Sequence, residues 1–294
     1  MLALRSNLLL RGSHSPQHET SAGSVADAVT FDLAAAETHH ERAALRTATA
    51  RLVPLVAAAG RGAHVRVADT RSGELDADLD AVVSPSLQAV LLSGVELPQD
   101  ARDADVAIRR REMQHQIEPG TVRLIPEIDS AAGIRTLGTI LGAVDRHSGV
   151  ALNIELVAWD LGLSAHVTAT MPVLEHAMAE VALSARAADV PWVLLAPHTD
   201  PGVRAPLANR AHALGASGAY IRSEAEAAGY NQLFAPSHDR VEEARLMIDE
   251  WERLRANGQT VGAVSDIVVD RRTVRRARSL LDTVEAIRRR SRAR

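Results

Sequence analysis

The chain has 294 residues, 33 basic and 37 acidic side chains, a formal net charge of −4 and no cysteine. Absence of cysteine excludes disulfides, thiolate nucleophiles and thiolate metal sites, and the slightly acidic balance gives no global attraction to polyphosphate or anionic lipid, so neither nucleic acid nor membrane is an expected partner. Every basic residue is Arg, which excludes lysine Schiff-base chemistry and the P-loop lysine.

Leu8, Leu9 and Leu10 follow Arg5 near the start, too short an apolar run for a signal peptide, and no uncharged apolar stretch approaches the roughly 18 residues of a membrane span. The expectation is a soluble, cytoplasmic protein. With only seven Phe, Trp and Tyr residues, aliphatic side chains must fill the core. Eight β-branched or Leu-rich runs then recur along the chain. They are SNLLL from Ser6, DAVTFDL from Asp27, HVRVA from His64, AVLLS from Ala89, VRLIPEID from Val122, VALNIEL from Val150, WVLLAPH from Trp192 and GAYIRS from Gly218. Ala-rich stretches of helical length separate them, such as residues 38–59 and 168–188. Eight βα units within residues 1–235 predict a (β/α)8 TIM barrel. An open Rossmann-like sheet is the alternative, but no Gly-x-Gly-x-x-Gly follows the early strands.

Residues 236–294 exceed what a barrel needs. Val241 to Ala256 predicts an amphipathic helix stopped at Asn257-Gly258, then a turn-rich piece, GQTVGAVSDIVVDRR, and a second helix from Val274 to Ile287. The final RRRSRAR reads as a solvated, frayed terminus. The apolar stripes of this helical extension need cover, and a neighbouring subunit is the expected partner.

In such a barrel the chemistry sits at the carboxyl ends of the strands. The polar residues there are Arg11, Asp32, Arg66 with Asp69, Ser93, Glu127 with Asp129, Glu155, His198 and Arg222. Glu127 and Asp129 are two apart and share a strand face, so either suits a hard cation such as Mg2+, or a structural ion pair with Arg. Arg66 lies in an apolar run and needs an anionic partner, either a ligand carboxylate or the internal carboxylates of Asp32 or Asp129. His198 ends its strand as a proton relay or a hydrogen-bonded structural group. His39 and His40 are adjacent on a helix, point apart and read as solvated.

The order of these fragments resembles the HpcH/HpaI aldolase and citrate lyase β-subunit superfamily. The opening from Arg5 to Gly12 resembles its first strand, DAVTFDL its second, and HVRVAD the strand whose substrate-binding Arg falls on Arg66. RLIPEIDSAAGI is similar to the segment bearing the metal-binding Glu, a place that falls on Asp129 by register with Gly133. Asp160-Leu161-Gly162, the segment NQLFAPS from Asn231, and Ile267 to Ala277 complete the likeness. The resemblance implies a TIM barrel, Mg2+, and cleavage or formation of a C–C bond between an enolate and a carbonyl. It further implies a homotrimer or hexamer, with Arg5 and Arg66 binding substrate and Asp32 and Arg66 in catalytic roles.

The departures fall at the mouth. The family's Leu-Glu-Asp after the second-strand Asp is Leu33-Ala34-Ala35, and its second metal-binding Asp falls on Leu156. Lysine positions fall on Gly94 and Ala219, and a His-Pro falls on Ser223-Glu224. Glu155 stands beside the lost ligand; on a regular strand it would point the other way, so a metal role for it needs a bulge. Loss of one carboxylate ligand should weaken Mg2+ binding. Three readings follow. One is a divergent barrel that binds a small carboxylate or CoA ester with weak or lost lyase activity. The second is an active Mg2+-dependent lyase, and the third a non-catalytic partner of a true lyase subunit.

Overall fold

The computed structural model describes residues 4–11, 21–163, 171–197 and 200–292. Eight parallel strands follow one another around a closed barrel. They are β1 (Ser6–Arg11), β2 (Ala28–Asp32), β3 (Gly62–Val67), β4 (Ala89–Leu92), β5 (Arg123–Ile128), β6 (Val150–Asn153), β7 (Trp192–Leu195) and β8 (Gly218–Ile221). Asn7 pairs with Ala28 on one side and Tyr220 on the other, which closes the ring and disposes of the open-sheet alternative.

Period-two alternation divides each strand between two environments. Leu8, Leu10, Val29, Phe31, Val65, Val67, Leu92, Ile128, Leu152, Leu194 and Ile221 belong to the large aliphatic core shared with the helices. Their neighbours of opposite parity, Leu9, Thr30, His64, Leu91, Glu127, Ala151 and Tyr220, therefore face the barrel axis and are buried there. Continuing that parity to the carboxyl ends brings Arg11, Asp32, Arg66, Ser93, Asp129, Asn153 and Arg222 to the mouth.

Among the described residues, eight α-helices belong to this unit: α1 (His39–Ala58), α2 (Leu75–Val82), α3 (Pro98–Gln114), α4 (Ala131–Leu141), α5 (Ile154–Asp160), α6 (Pro172–Ala187), α7 (Pro201–Ala213) and α8 (Glu224–Leu233). Their starts follow capping chemistry: Thr38 accepts from the Glu41 amide, Ser130 from that of Gly133 and Asn153 from that of Leu156. Charges buried between elements are paired by Arg forks. Asp78, fully buried on α2, receives Arg42 and Arg46 of α1 at 3.1 and 2.8 Å.

Two expectations need correction. The run VALNIEL does not continue as strand; β6 stops at Asn153, whose side chain caps α5, so Glu155 and Leu156 lie in the first helical turn. The bulge argument for Glu155 therefore does not apply. The extension is also more ordered than expected. The chain divides into the barrel unit, Leu4–Phe234, and a second compact unit, Ala235–Arg294. The latter comprises α9 (His238–Ala256), an antiparallel hairpin of β9 (Gly262–Val264) and β10 (Ile267–Val269), and α10 (Arg271–Arg292). Ser265 adopts φ 51° in the turn between the two short strands. The piece expected to be turn-rich is this hairpin, and Arg288 to Arg290, expected to fray, are helical because Arg is a good helix former. Ala244, Met247, Leu254, Val269, Val274 and Ala277 give this unit its own small core. Among the described residues no helix is long and apolar enough to cross a membrane.

Candidate functional site at the barrel mouth

The registers β1–β2 and β2–β3 set Arg11 beside Asp32 and Asp32 beside Arg66. Three strands thus deliver a row of alternating charge to the mouth. Arg66 Nη1 donates to Asp32 Oδ1 at 3.0 Å, and Arg11 Nε lies 3.4 Å from Asp32 Oδ2. On the other side, Arg66 Nε and Nη2 donate to Glu127 Oε2 and Oε1 at 2.6 and 2.9 Å. Asn153 Nδ2 donates to Glu127 Oε1 at 2.8 Å and extends the row to β6. Glu127 is fully buried and Asp32 nearly so, which makes these charge-assisted bonds structural as well as polar. Burial alone would lower the Arg66 pKa, but Glu127 and Asp32 hold its guanidinium well above the ordinary range. Three of its five N–H donors are used in this way.

Asp129 continues the inward face of β5 beyond Glu127. Burial, and then the Glu127 carboxylate, push its carboxyl up to about 7, against the pull of Arg66 and a hydrogen bond from the Gly94 amide. Gly94 itself sits at φ +63°, a conformation costly for the lysine expected there from the resemblance. The next residues are just as constrained. A Cβ on Gly133 would lie 2.6 Å from the Val95 carbonyl oxygen, so the Ser-Ala-Ala-Gly turn packs α4 onto the β4 loop only with glycine. Asp160 Oδ2 accepts from the Ala131 amide at 2.8 Å, and Gly162 at φ +68° terminates α5, which gives Asp160-Leu161-Gly162 a structural purpose.

Not every residue singled out from the sequence arrives here. Arg5 precedes β1 and lies at the amino end of the barrel, a strand length of roughly 20 Å from the mouth. There it donates Nε and Nη2 to Asp27 at 2.9 and 2.8 Å and Nη1 to the Asn231 carbonyl at 3.3 Å. Asn231 also accepts from Ser6 and donates to the Val25 carbonyl. The substrate-binding role expected of Arg5 has no support in this placement, because its fork is closed by Asp27 at the wrong rim. Asp32, Arg66 and Asp129 do converge. Glu155 is half-buried in the first turn of α5; Leu156, at the second metal-ligand position, is 39% exposed. Successive helical residues diverge by about 100°, so Glu155 does not occupy the direction taken by Leu156. His198 lies outside the described residues. The exposed His39 ring contacts Glu74 at 2.8 Å and, among the described residues, joins no metal cluster.

Glu127 as the main partner of Arg66 was not foreseen; Asp32 and Asp129 were the expected carboxylates. The available signal was parity: Glu127 is the inward-facing charge in a strand that is apolar from Leu124 to Pro126. Asn153 was missed because the apolar run around it reads as continuous strand.

Tested against a hard divalent cation, the mouth offers one suitable carboxyl among the described residues, Asp129, whose raised pKa a cation would relieve. Glu127 is committed to Arg66 and Asn153, and Leu156 supplies no oxygen. Among the described residues no group of three His, Asp or Glu side chains is placed to hold a metal. The donor set therefore fits a weak site of one carboxylate completed by water or ligand oxygens, not a pair.

Comparison with known proteins agrees with this architecture. The model of the HpcH/HpaI aldolase/citrate lyase family matches residues 5–223. Citrate lyase subunit beta of Escherichia coli K12 is 27% identical over 288 residues, covering 96% of this chain and 93% of that protein. A (3S)-malyl-CoA thioesterase of Cereibacter sphaeroides is 27% identical over 293 residues, covering 96% and 95%. Among solved structures, the protein CitE from Mycobacterium tuberculosis, in complex with magnesium, acetoacetate and coenzyme A, superposes with a TM-score of 0.64 at 19% identity, covering 96% of this chain and 98% of that one. A citrate lyase from Burkholderia xenovorans LB400 gives 0.69 at 16% identity, covering 97% and 92%.

Proposed function

Because this chain belongs to the HpcH/HpaI aldolase/citrate lyase family, we propose that it is a divergent member whose barrel mouth binds a small carboxylate or CoA ester, with metal-dependent C–C cleavage weak or lost. The observation that carries this reading is Leu156, a hydrocarbon side chain on the first turn of α5 where the family resemblance asks for a second metal carboxylate. The magnesium and coenzyme A of the M. tuberculosis protein support the ligand class.

In this reading Arg66 is held rigid by Asp32 and Glu127 and offers its two unused N–H donors to a ligand carbonyl oxygen, polarising it. Asp32 keeps that guanidinium in place rather than exchanging protons with a ligand. Asp129, partly protonated near neutral pH, is the group able to donate to or accept from the ligand. Magnesium, held by Asp129 with water and ligand oxygens, would stabilise an enolate oxygen; Glu155 would join it only by turning about the helix axis.

The reading also takes the chain as a homo-oligomer, trimer or hexamer, in which the C-terminal unit packs on a neighbouring subunit. Leu246, Val261 and Val268 of that unit are more than half exposed in the single chain, which supports a partner surface there. The test of function is an assay of malyl and citryl thioesters of coenzyme A with millimolar Mg2+, alongside calorimetric titration of acetoacetate and coenzyme A. Binding without turnover, or with turnover at a trace rate, is expected. Turnover comparable to an intact lyase, abolished by Arg66→Ala and Asp129→Ala, would establish the active-enzyme reading instead.

A further inference from the structure

Arg11 and Arg222 stand at the carboxyl ends of adjacent strands, β1 and β8, whose register pairs Leu8 with Ile221. Both share the inward parity of Leu9 and Tyr220, and both face the mouth. Arg222 is exposed, donates Nη1 to the Pro197 carbonyl oxygen at 2.6 Å, and has no carboxylate at ion-pair distance among the described residues. Its neighbours make this position more positive. Partial desolvation beside the barrel, then the guanidinium groups of Arg11 and Arg204, lower its pKa, outweighing the pull of Asp32 and Glu155.

Among the described residues, the other arginines at the mouth are matched by carboxylates. Arg204 meets Glu226 at 2.6 Å, while Arg11 and Arg66 share Asp32 and Glu127 between them. Among the described residues, Arg222 is the cation left over on this side of the ring. The extra carboxyl, Asp129, follows β5, on the opposite side from β1 in an eight-stranded ring. An anionic ligand group also cannot take the bidentate edge of Arg66, since Glu127 already spans Nε and Nη2.

From these placements we infer that Arg222, flanked by Arg11, forms an oxyanion subsite on the β8–β1 side of the mouth that takes the carboxylate or phosphate end of the ligand. The inference rests on the proposed carboxylate or CoA-ester binding and assigns its charged end to residues other than Arg66. A planar fork with one carbonyl partner retains donors for two oxygens, and the like charge of Arg11 is relieved when the oxyanion arrives.

Calorimetric titration of the full chain with acetoacetate and with coenzyme A tests this, using Arg222→Gln, Arg222→Lys and Arg11→Gln. Melting temperatures matching wild type certify folding of each variant, and Arg11→Gln provides a second reading should Arg222→Gln fail that check. A charge-assisted contact is worth about tenfold or more in affinity. Loss of at least fivefold for acetoacetate in Arg222→Gln, partly restored in Arg222→Lys, identifies a carboxylate. The same loss confined to coenzyme A identifies a phosphate. A wild type that binds a probe while both Gln variants lose less than fivefold for either overturns the subsite alone. A wild type that binds neither probe overturns the subsite together with the function proposed above.

Discussion

Glu127 spans the guanidinium edge of Arg66, Oε2 to Nε at 2.6 Å and Oε1 to Nη2 at 2.9 Å, so the most ligand-like cation of the barrel is already answered from within. The pair is fixed from both sides, by Asp32 on β2 and Asn153 on β6. Four strands are thereby tied across the mouth, and the tie is as much a part of stability as of binding.

Removing the cation leaves buried Glu127 with the neutral amide of Asn153 and buried Asp32 with the more distant Arg11. Arg66→Met is expected to destabilise the barrel by about 3–5 kcal/mol, the usual cost of breaking a buried pair from one side. Glu127→Gln keeps an acceptor for Arg66 and should cost less. Denaturant unfolding of both variants checks the order; equal and small losses would show the row to be dispensable.

The Asp129 carboxyl carries a pH signature. Its folded-state value, about 7, lies above its ordinary 3.8, so between those limits the folded chain holds more protons than the unfolded one. The contribution of this group to stability is thus full below pH 4 and is lost as pH rises to 7. Asp129→Asn should flatten that part of the profile and leave the Asn variant relatively more stable at neutral pH. Melting temperatures of both proteins across pH 4–8 decide it: parallel profiles would refute the raised value.

A third expectation concerns packing behind the site. Gly133→Ala places a methyl 2.6 Å from the Val95 carbonyl oxygen, and backbone must shift to admit it. A loss of roughly 1–3 kcal/mol is expected, measured by the same unfolding experiment. A neutral substitution would mean that the α4–β4 loop contact is not tight.

Assembly is checked by light scattering at micromolar concentration, where a trimer or hexamer is expected. A monomer would contradict the packing proposed for the C-terminal unit.

Much of the barrel was legible because a parallel strand buried on both faces leaves a short, dense aliphatic run, and eight such runs separated by Ala-rich helices admit few arrangements. The site was half legible. That Asp32, Arg66 and Asp129 meet at the mouth was legible because strand ends and parity point there. Glu155 was misplaced because the apolar run from Val150 passes from strand into helix without a break in hydrophobicity; Asn153, a good N-cap, was the only punctuation. Arg5 was misplaced for another reason. A motif marks a residue without saying which end of the strand its fork serves, whereas chain direction does: a residue preceding a parallel strand belongs to the amino rim. Pairings such as Arg66 with Glu127 depend on the stagger of strands around the ring and cannot be read from one strand at a time.

Calorimetric titration of Mg2+ into wild type and Leu156→Asp tests the central claim most directly. Only weak binding, millimolar or poorer, is expected of wild type, with an affinity gain of about tenfold or more once the second carboxylate is supplied. Micromolar binding by wild type, or no gain in Leu156→Asp, would contradict it.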